Sequence, residues 1–480
     1  MKQTFYVTTA IDYVNAEPHI GHAYQKIVAD ALARWHKLLG KEVLFVTGTD
    51  EHGKKIARAA EDAGKSPKEF VDEMSEKFKN AWNALNIKYD RFIRTTDKDH
   101  QKIVQEIITK VNERGDIYKG EYEGLYCVGC EAYYTEKDAP DFQCPLHKKS
   151  LENLKEESYF FRLSKYQKFL LELYKKNPEF ILPKKSCNEV TNRVKEDLKD
   201  LSISRASFDW GIPFPLDKKH VTYVWFDALL NYYTATQSSE KLKKFWPADL
   251  HILGVDNTWF HTVYWPAMLK SANLPLPKTV FNHGFLTFNG QKISKSLGNA
   301  ISPTTLVKKY GADTIRYFSL RQFPFASVDS GDFSEQALID RHNNELADKL
   351  GNLVSRVSTL AEKYGLEKVD IHVDTTAIYE TVKREIENYE LDKALNEIFA
   401  FIDTLNQLIQ DRKPWETQDK KDLYELVSGI KTVTILLSPF IPETAEKIAK
   451  TFNFKLTLEE LEKPLKISKI KKSEILFRKI

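Results

Sequence analysis

Four cysteines in 480 residues are too few for a disulfide framework. No apolar run reaches the length that spans a membrane, so neither a spanning helix nor a membrane partner is expected. The N-terminal "MKQTFYVTT" enters a strand pattern at once, without signal or transit character, and a cytoplasmic location is expected. Internal repeats and low-complexity linkers are also missing. So is an excess of one charge: the net value of +3 does not by itself imply a polyanionic partner. Only the end of the chain, "KPLKISKIKKSEILFRKI", is locally basic, which suits either a polyanion or a solvated amphipathic tail. What remains, 42% hydrophobic and 29% charged residues, describes a globular chain long enough for two to four domains.

The scarce cysteines are clustered. In "CVGCEAYYTEKDAPDFQCPLH", Cys127, Cys130, Cys144 and His147 form C-x2-C-x13-C-x2-H. Two tight ligand pairs across a short hairpin suit tetrahedral Zn2+. Four protein ligands would close the shell, so one structural zinc per chain is expected. Cys187 lies outside this pattern and reads as a plain thiol.

Apolar periodicity divides the chain. Residues 1–115 alternate strand and helix, with helical patterns near 54–63, 67–85 and 98–114. This βαβ series predicts the first half of a parallel, Rossmann-type sheet. Residues 116–220, rich in aromatics and holding the cysteine cluster, read as an insertion with short antiparallel strands. The alternation resumes over 221–288, from "HVTYVWFDALLNYYTA" to "TVFNHGFL". A loop region covers 289–340, and 341–480 reads as an all-α bundle, with longer patterns near 377–412, 420–437 and 442–451. There "LADKLGNLVSRVSTLAEKYG" should bury Leu346, Leu350, Leu353, Val357 and Leu360.

Two short stretches carry chemistry. In "EPHIGH", Pro18 suits the first turn of a helix, and His19 and His22 stand i, i+3 on one face. The helix that follows has Val28, Leu32, Trp35 and Leu39 on one side and Gly40 as its stop. Imidazoles at the positive end of a helix after a strand sit where phosphate binds. In "NGQKISKSLGN", Lys292 and Lys295 lie with Ser294 and Ser296 between Gly290 and Gly298. Such a loop can close over a polyphosphate and meet charge developing on its leaving oxygens. Taken alone, each stretch also reads as a polar surface turn; together on one sheet they point to a nucleotide site.

With "HIGH" at 19–22 and "KISKS" at 292–296, the chain resembles the class I aminoacyl-tRNA synthetases. Within that class it resembles the methionyl enzymes of the bacterial type with one zinc knuckle. The stretches "FYVTTAIDYVNAEPHIGHAY", "VTGTDEHG", "GEYEGLYCVGCEAYYTEKD", "VTYVWFDALLNYYTA", "LGNLV" and "DRKPW" carry that likeness over essentially the whole length. The resemblance implies a Rossmann catalytic domain split by a zinc-bearing insertion, a stem-contact segment after the lysine loop, and an anticodon-binding helix bundle. It implies a methionine slot formed by Ile11, Tyr13, Asp50, Trp225, Ala228, Leu229, Tyr232 and His261. A thioether needs such an apolar, aromatic-lined slot, and an α-ammonium needs a carboxylate such as Asp50. ATP would be held by His19, Gly21, His22, Gly254, Asp256, Lys292, Ser294 and Lys295, with Mg2+ on the phosphates. His19, His22, Lys292 and Lys295 would be the catalytic group among them. Asn352, Arg356 and Trp415 would read the anticodon of tRNA(Met), initiator tRNA included. Two positions depart from the family: Val255 stands where Lys is usual, and Asp12 where proline or an aromatic residue is usual.

The implied reaction has two steps. The methionine carboxylate attacks the α-phosphate of ATP, and a ribose hydroxyl of the tRNA terminal adenosine then takes the activated acyl group. A monomer is expected, because the chain ends after the bundle. Cysteinyl-tRNA synthetase disperses its zinc ligands, whereas here they cluster. The branched-chain synthetases place an editing domain in an insertion that is too short here. A non-catalytic tRNA-binding paralogue would have no use for the histidines and lysines.

Overall fold

A computed structural model describes residues 2–127, 132–134, 139, 141–145, 148–196, 198–288, 290–293, 301–369, 375–465 and 470–480. At its centre is a parallel sheet of seven strands. Thr4–Thr9 runs through the middle, between Glu42–Asp50 on one side and Leu250–Gly254 on the other. Arg91–Arg94 lies outside Glu42–Asp50. On the other side, Thr279–His283 lies outside Leu250–Gly254, and Ile181–Leu182 closes that edge. The short Asp12–Tyr13 strand continues the first strand and pairs with Thr49 and Asp50. The strands are buried on both faces, as parallel sheets covered by helices must be, and so they read as near-continuous apolar runs.

This topology positions the site. The chain builds outward from Thr4–Thr9 to Arg91–Arg94, then returns to add Leu250–Gly254 on the opposite side. Strand order therefore reverses between Thr4–Thr9 and Leu250–Gly254, and ligands of open α/β sheets bind in the crevice at the carboxyl ends of such a pair. The helix Ile20–Leu38 starts there and packs across both strands.

Residues 116–220 differ from the expected short antiparallel strands in two ways. Ile117–Cys127 and Glu152–Phe161 form one long ribbon, paired from Ile117↔Phe161 to Tyr126↔Glu152. The stretch also holds helices Gln167–Lys176 and Lys184–Glu196, and between them Ile181–Leu182 joins the main sheet. Two residues are too short a strand to leave a periodic signal. The apolar run "YVWFDALLNYY" is mostly helical, as Val224–Ala228 and Asn231–Gln237; only Val221–Thr222 before it is strand. Fully buried helices and strands share an unbroken apolar pattern, so periodicity does not separate them.

From Glu335 to Glu462 the described residues are mostly helical. Leu346, Leu350, Leu353 and Val357 are fully buried and Leu360 partly so, as their spacing predicts. The pattern near 377–412 is two helices, Thr375–Glu387 and Leu391–Arg412, separated at Tyr389, whose φ is +62°. Lys420–Leu437 and Pro442–Phe452 follow. Arg316 anchors this bundle to the sheet: fully buried, it donates to the carbonyls of Phe440 and Pro439 at 2.9 Å and pairs with Asp30 at 2.7 Å. Asp30 stands on the Ile20–Leu38 helix. The basic end of the chain folds back onto the bundle, with Ser473 N–H donating to Ser358 Oγ and Lys479 paired to Asp348. No described helix is long and apolar enough to cross a membrane.

Candidate active site

The histidine pair caps its own helix. His19 is the N-cap, so Pro18 falls before the helix rather than in its first turn. The Gly21 N–H donates to His19 Nδ1 at 3.1 Å, and the His19 N–H donates to His22 Nδ1 at 3.2 Å. Two of the amide donors that a helix start leaves without partners are thereby satisfied. The rings stack at 3.8 Å between centroids. Gly21 makes this possible, because a Cβ there would stand 3.0 Å from the His19 ring. With Nδ1 of each ring accepting, the proton of each sits on Nε2. Burial lowers the His19 pKa to about 4, aided by the Lys26 charge, and pushes His22 well below the usual imidazole range. Both are therefore neutral Nε2–H donors at a helix N-terminus, an arrangement suited to phosphate.

The expected amino-acid slot comes together from distant stretches. Trp225 lies flat on Phe260, with centroids 3.6 Å apart and planes at 6°, and meets His261 edge-on at 6.3 Å. His261 Nδ1–H donates to the Asn257 carbonyl at 3.0 Å, which leaves Nε2 to accept from the Tyr232 hydroxyl at 2.6 Å. The Tyr232 ring lies 4.4 Å from that of His251. The Trp265 indole N–H donates to His251 Nε2, and His251 Nδ1–H reaches Thr8 Oγ1 at 2.6 Å. Burial brings the His261 pKa to about 4, so this chain is neutral and its rings are fixed. Ala228, Leu229, Tyr232, His261 and Asp50 are buried; Ile11, Tyr13 and Trp225 are half-buried. Asp50 ends its strand opposite Tyr13.

At the nucleotide edge, Gly254 ends its strand where a Cβ would stand 2.8 Å from Asp256 Oδ1 and 3.6 Å from Gln25 Nε2 on the capped helix. Gln291–Lys292 pairs with Leu286–Phe288 beside Gly331–Phe333. Ser294 and Lys295 lie outside the described residues. The chain returns at Ile301, whose carbonyl accepts from the Ile20 N–H at 3.1 Å. The described chain thus enters the lysine stretch from a separate three-stranded sheet and resumes against the histidine turn.

Of the cysteine cluster, Cys130 and His147 lie outside the described residues. Cys127 and Cys144 are both buried, and Cys144 exchanges backbone bonds with Lys148 and Lys149 that close a tight loop. Cys127 ends one strand of the ribbon and Cys144 lies in the segment between its two strands, and buried thiols are the soft donors that Zn2+ takes. Another close group, Glu157, Asp217 and His220, sits where Lys119 pairs with both carboxylates. Far from these, Asn352 is exposed on the Asn352–Tyr364 helix, and the Arg356 guanidinium stands 5.5 Å from the Trp415 ring. Trp415 is 36% exposed, so it is not a core side chain.

Several site residues escaped the sequence reading. Phe260 is the floor beneath Trp225. Asp227 takes His52 Nδ1 on one carboxylate oxygen and His100 Nε2 on the other, each at 2.7 Å, and so ties the Trp225 helix to two other elements. Burial opposes its charge, yet the two imidazoles hold the Asp227 carboxyl below the ordinary range. Lys26, one turn after His22, is fully buried against Asp12 at 2.5 Å. Only the last had a sequence signal: Lys26 is i+4 from His22 on the same face.

Comparison with known proteins agrees with this geometry. The family model "tRNA synthetases class I (M)" matches residues 5–152 and 137–358, and "Anticodon-binding domain of tRNA ligase" matches 371–478. Fold and site thus define a class I aminoacyl-tRNA synthetase. The methionine–tRNA ligase of Caldanaerobacter subterraneus is 45% identical, over 100% of this chain and 79% of that protein. That of a Nostoc species is 44% identical, over 96% of this chain and 92% of its own length. The Mycobacterium tuberculosis methionyl-tRNA synthetase in complex with methionyl-adenylate superposes with a TM-score of 0.94 at 36% identity, covering 99% of both chains. Its apo form gives a TM-score of 0.88. The chain belongs to the methionine–tRNA ligase family.

Proposed function

We propose that the protein joins L-methionine to ATP as methionyl-adenylate, releasing pyrophosphate, and transfers the methionyl group to the 3′-terminal adenosine of tRNA(Met) and initiator tRNA. The observation that carries this reading is the pairing of a self-capped histidine turn with an aromatic slot at one strand crossover. In this reading methionine lies on Trp225 and Phe260, with Tyr232, His261, Ala228 and Leu229 around the thioether and Ile11 and Tyr13 at the mouth. Asp50 receives the α-ammonium. The Nε2–H groups of His19 and His22 donate to ATP phosphates, Gly254 lets the nucleoside approach the strand end, and Asp256 meets its ribose side.

The carboxylate attack breaks the bond to the pyrophosphate oxygen, and no proton need move. The protein therefore contributes positioning and fixed charge rather than a nucleophile. Lys292 and Lys295, with Ser294, close over the leaving group from a loop that ends at Ile301. Mg2+ accompanying ATP would neutralise phosphate charge. Cys127, Cys130, Cys144 and His147 hold one structural Zn2+ that stiffens the ribbon between the two halves of the sheet. In the bundle, Asn352, Arg356 and Trp415 read the anticodon by hydrogen bonding and stacking, as single-stranded loops are read. The test is aminoacylation: methionine, ATP and a tRNA(Met) transcript should give methionyl-tRNA, and a transcript with its anticodon replaced should be charged far more slowly. Equal charging of both would remove the bundle from recognition.

A further inference from the structure

His19, His22 and Lys26 stand at i, i+3 and i+7 and form one stripe down the capped helix. The first two meet the crevice. The third turns inward, fully buried, and its ammonium donates to Asp12 Oδ1 at 2.5 Å and to the Ala10 carbonyl at 3.3 Å. Asp12 lies between Ile11 and Tyr13 and pairs with Thr49, the neighbour of Asp50. The ion pair thus bridges the wall of the amino-acid slot and the phosphate stripe. Burial is the main cause of the lowered His19, His22 and His283 pKa values and of the raised Tyr232 value, and the pair adds a smaller push on both sides, Lys26 on the histidines and Asp12 on the tyrosine.

As a purely structural contact the pair is poorly built. Asp12 Oδ2 is buried with no hydrogen-bond partner among the described residues. Burial raises the Asp12 carboxyl to about 6 and lowers the Lys26 ammonium, so neither charge is comfortable. Buried ion pairs seldom repay their desolvation, and a well-packed apolar pair is often at least as stable.

We propose that Asp12–Lys26 is a fixed dipole of the reaction site, with its carboxylate end toward the amino acid and its ammonium end toward the phosphates. The inference rests on the proposed methionine activation. In that step a carboxylate oxygen–phosphorus bond forms, the bond to the pyrophosphate oxygen breaks, and its electron pair leaves with pyrophosphate. Negative charge moves toward the nucleotide side, where the Lys26 end of the dipole favours it. Neither residue touches substrate, so both are positioning residues.

The test compares Asp12→Leu/Lys26→Met with the unaltered chain by thermal melting and ATP–pyrophosphate exchange. The double variant should melt within a few degrees of the parent, yet exchange with kcat lower by about tenfold or more. The KM for methionine should change less than kcat. A folded double variant whose kcat stays within about twofold overturns the proposal. Should the double variant melt early, Lys26→Arg and Lys26→Gln are compared below both melting points. Recovery by Arg alone supports the dipole, and equal rates for the two overturn it. The unaltered chain is the control for function itself: exchange independent of methionine would count against the proposed activation, whereas variant-to-parent ratios bear only on the pair.

Discussion

His19 and His22 commit their Nδ1 atoms to the helix they begin, which is why the two are separated by three positions and why glycine stands between them. A wider spacing would lose the reciprocal cap, and a side chain at position 21 would crowd the ring. The remaining Nε2–H groups are held in place before any ligand arrives, so little ordering is needed at binding. In the proposed activation the lysine loop would supply the charge that neutral imidazoles lack. Lys295→Ala should therefore slow adenylate formation roughly a hundredfold or more, about 3–4 kcal/mol, with little change in methionine affinity. Single-turnover rates and equilibrium binding separate the two; equal losses in both would mean a ground-state contact instead.

Among the elements, the bundle and the ribbon each carry one prediction. Trp415 follows Pro414 at a left-handed turn after the Leu391–Arg412 helix, half out in solvent over the Arg356 guanidinium. Because it is exposed, Trp415→Ala should spare the 3–5 kcal/mol that removing a core Trp costs. Charging of tRNA(Met) should fall about tenfold to a hundredfold in kcat/KM, as loss of one stacked base predicts, with pyrophosphate exchange intact. Normal charging by the variant would remove Trp415 from the anticodon reading. On the ribbon, metal analysis should find one zinc per chain, and chelation should loosen residues near 120–150 and lower activity indirectly. Metal lost in Cys187→Ser alone would refute the ligand set, because Cys187 lies on the Lys184–Glu196 helix, outside the knuckle.

What was legible at this scale followed from how local the cause was. The helix Ile20–Leu38 was readable because its apolar stripe and its stop fall within one stretch, but that His19 caps it, with Pro18 outside, was not, since the cap lies in ring-to-backbone hydrogen bonds that the sequence does not display. Ile181–Leu182 was not, since two residues carry no period and only their neighbour strand makes them a strand. Asp227 and its two histidines span more than a hundred positions, so nothing adjacent announces them. Lys26 shares a face with His22, but a lysine reads as solvent-facing by composition, and its burial against Asp12 shows only in the fold.

For the whole molecule, neutral histidines, buried at His251, His261 and His283 and half-buried at His19, His22 and His36, set an acid limit. Burial brings His19, His261 and His283 to about 4 and His36 to about 3, and holds His22 and His251 well below the ordinary value of 6.5. Unfolding frees each to bind a proton near pH 6.5. Their contribution is therefore whole above about 6.5 and is lost as pH falls toward about 4, at about 1.4 kcal/mol per pH unit for each group. Asp12 works the other way, since its folded pKa of about 6 exceeds the ordinary 3.8 and adds stability as pH falls, but it is one group against several. The melting temperature should drop steadily between pH 6.5 and 5; a flat profile would contradict the neutral state of these rings. Arg316 joins the bundle to the capped helix, so catalytic and bundle regions should melt together rather than in two steps. The central claim is that the crevice between Thr4–Thr9 and Leu250–Gly254 activates methionine. ATP–pyrophosphate exchange without tRNA, run with each of the twenty amino acids, tests it most directly. Methionine should support exchange at least a hundredfold above the rest; exchange with cysteine or a branched-chain amino acid instead, or with none, would contradict it.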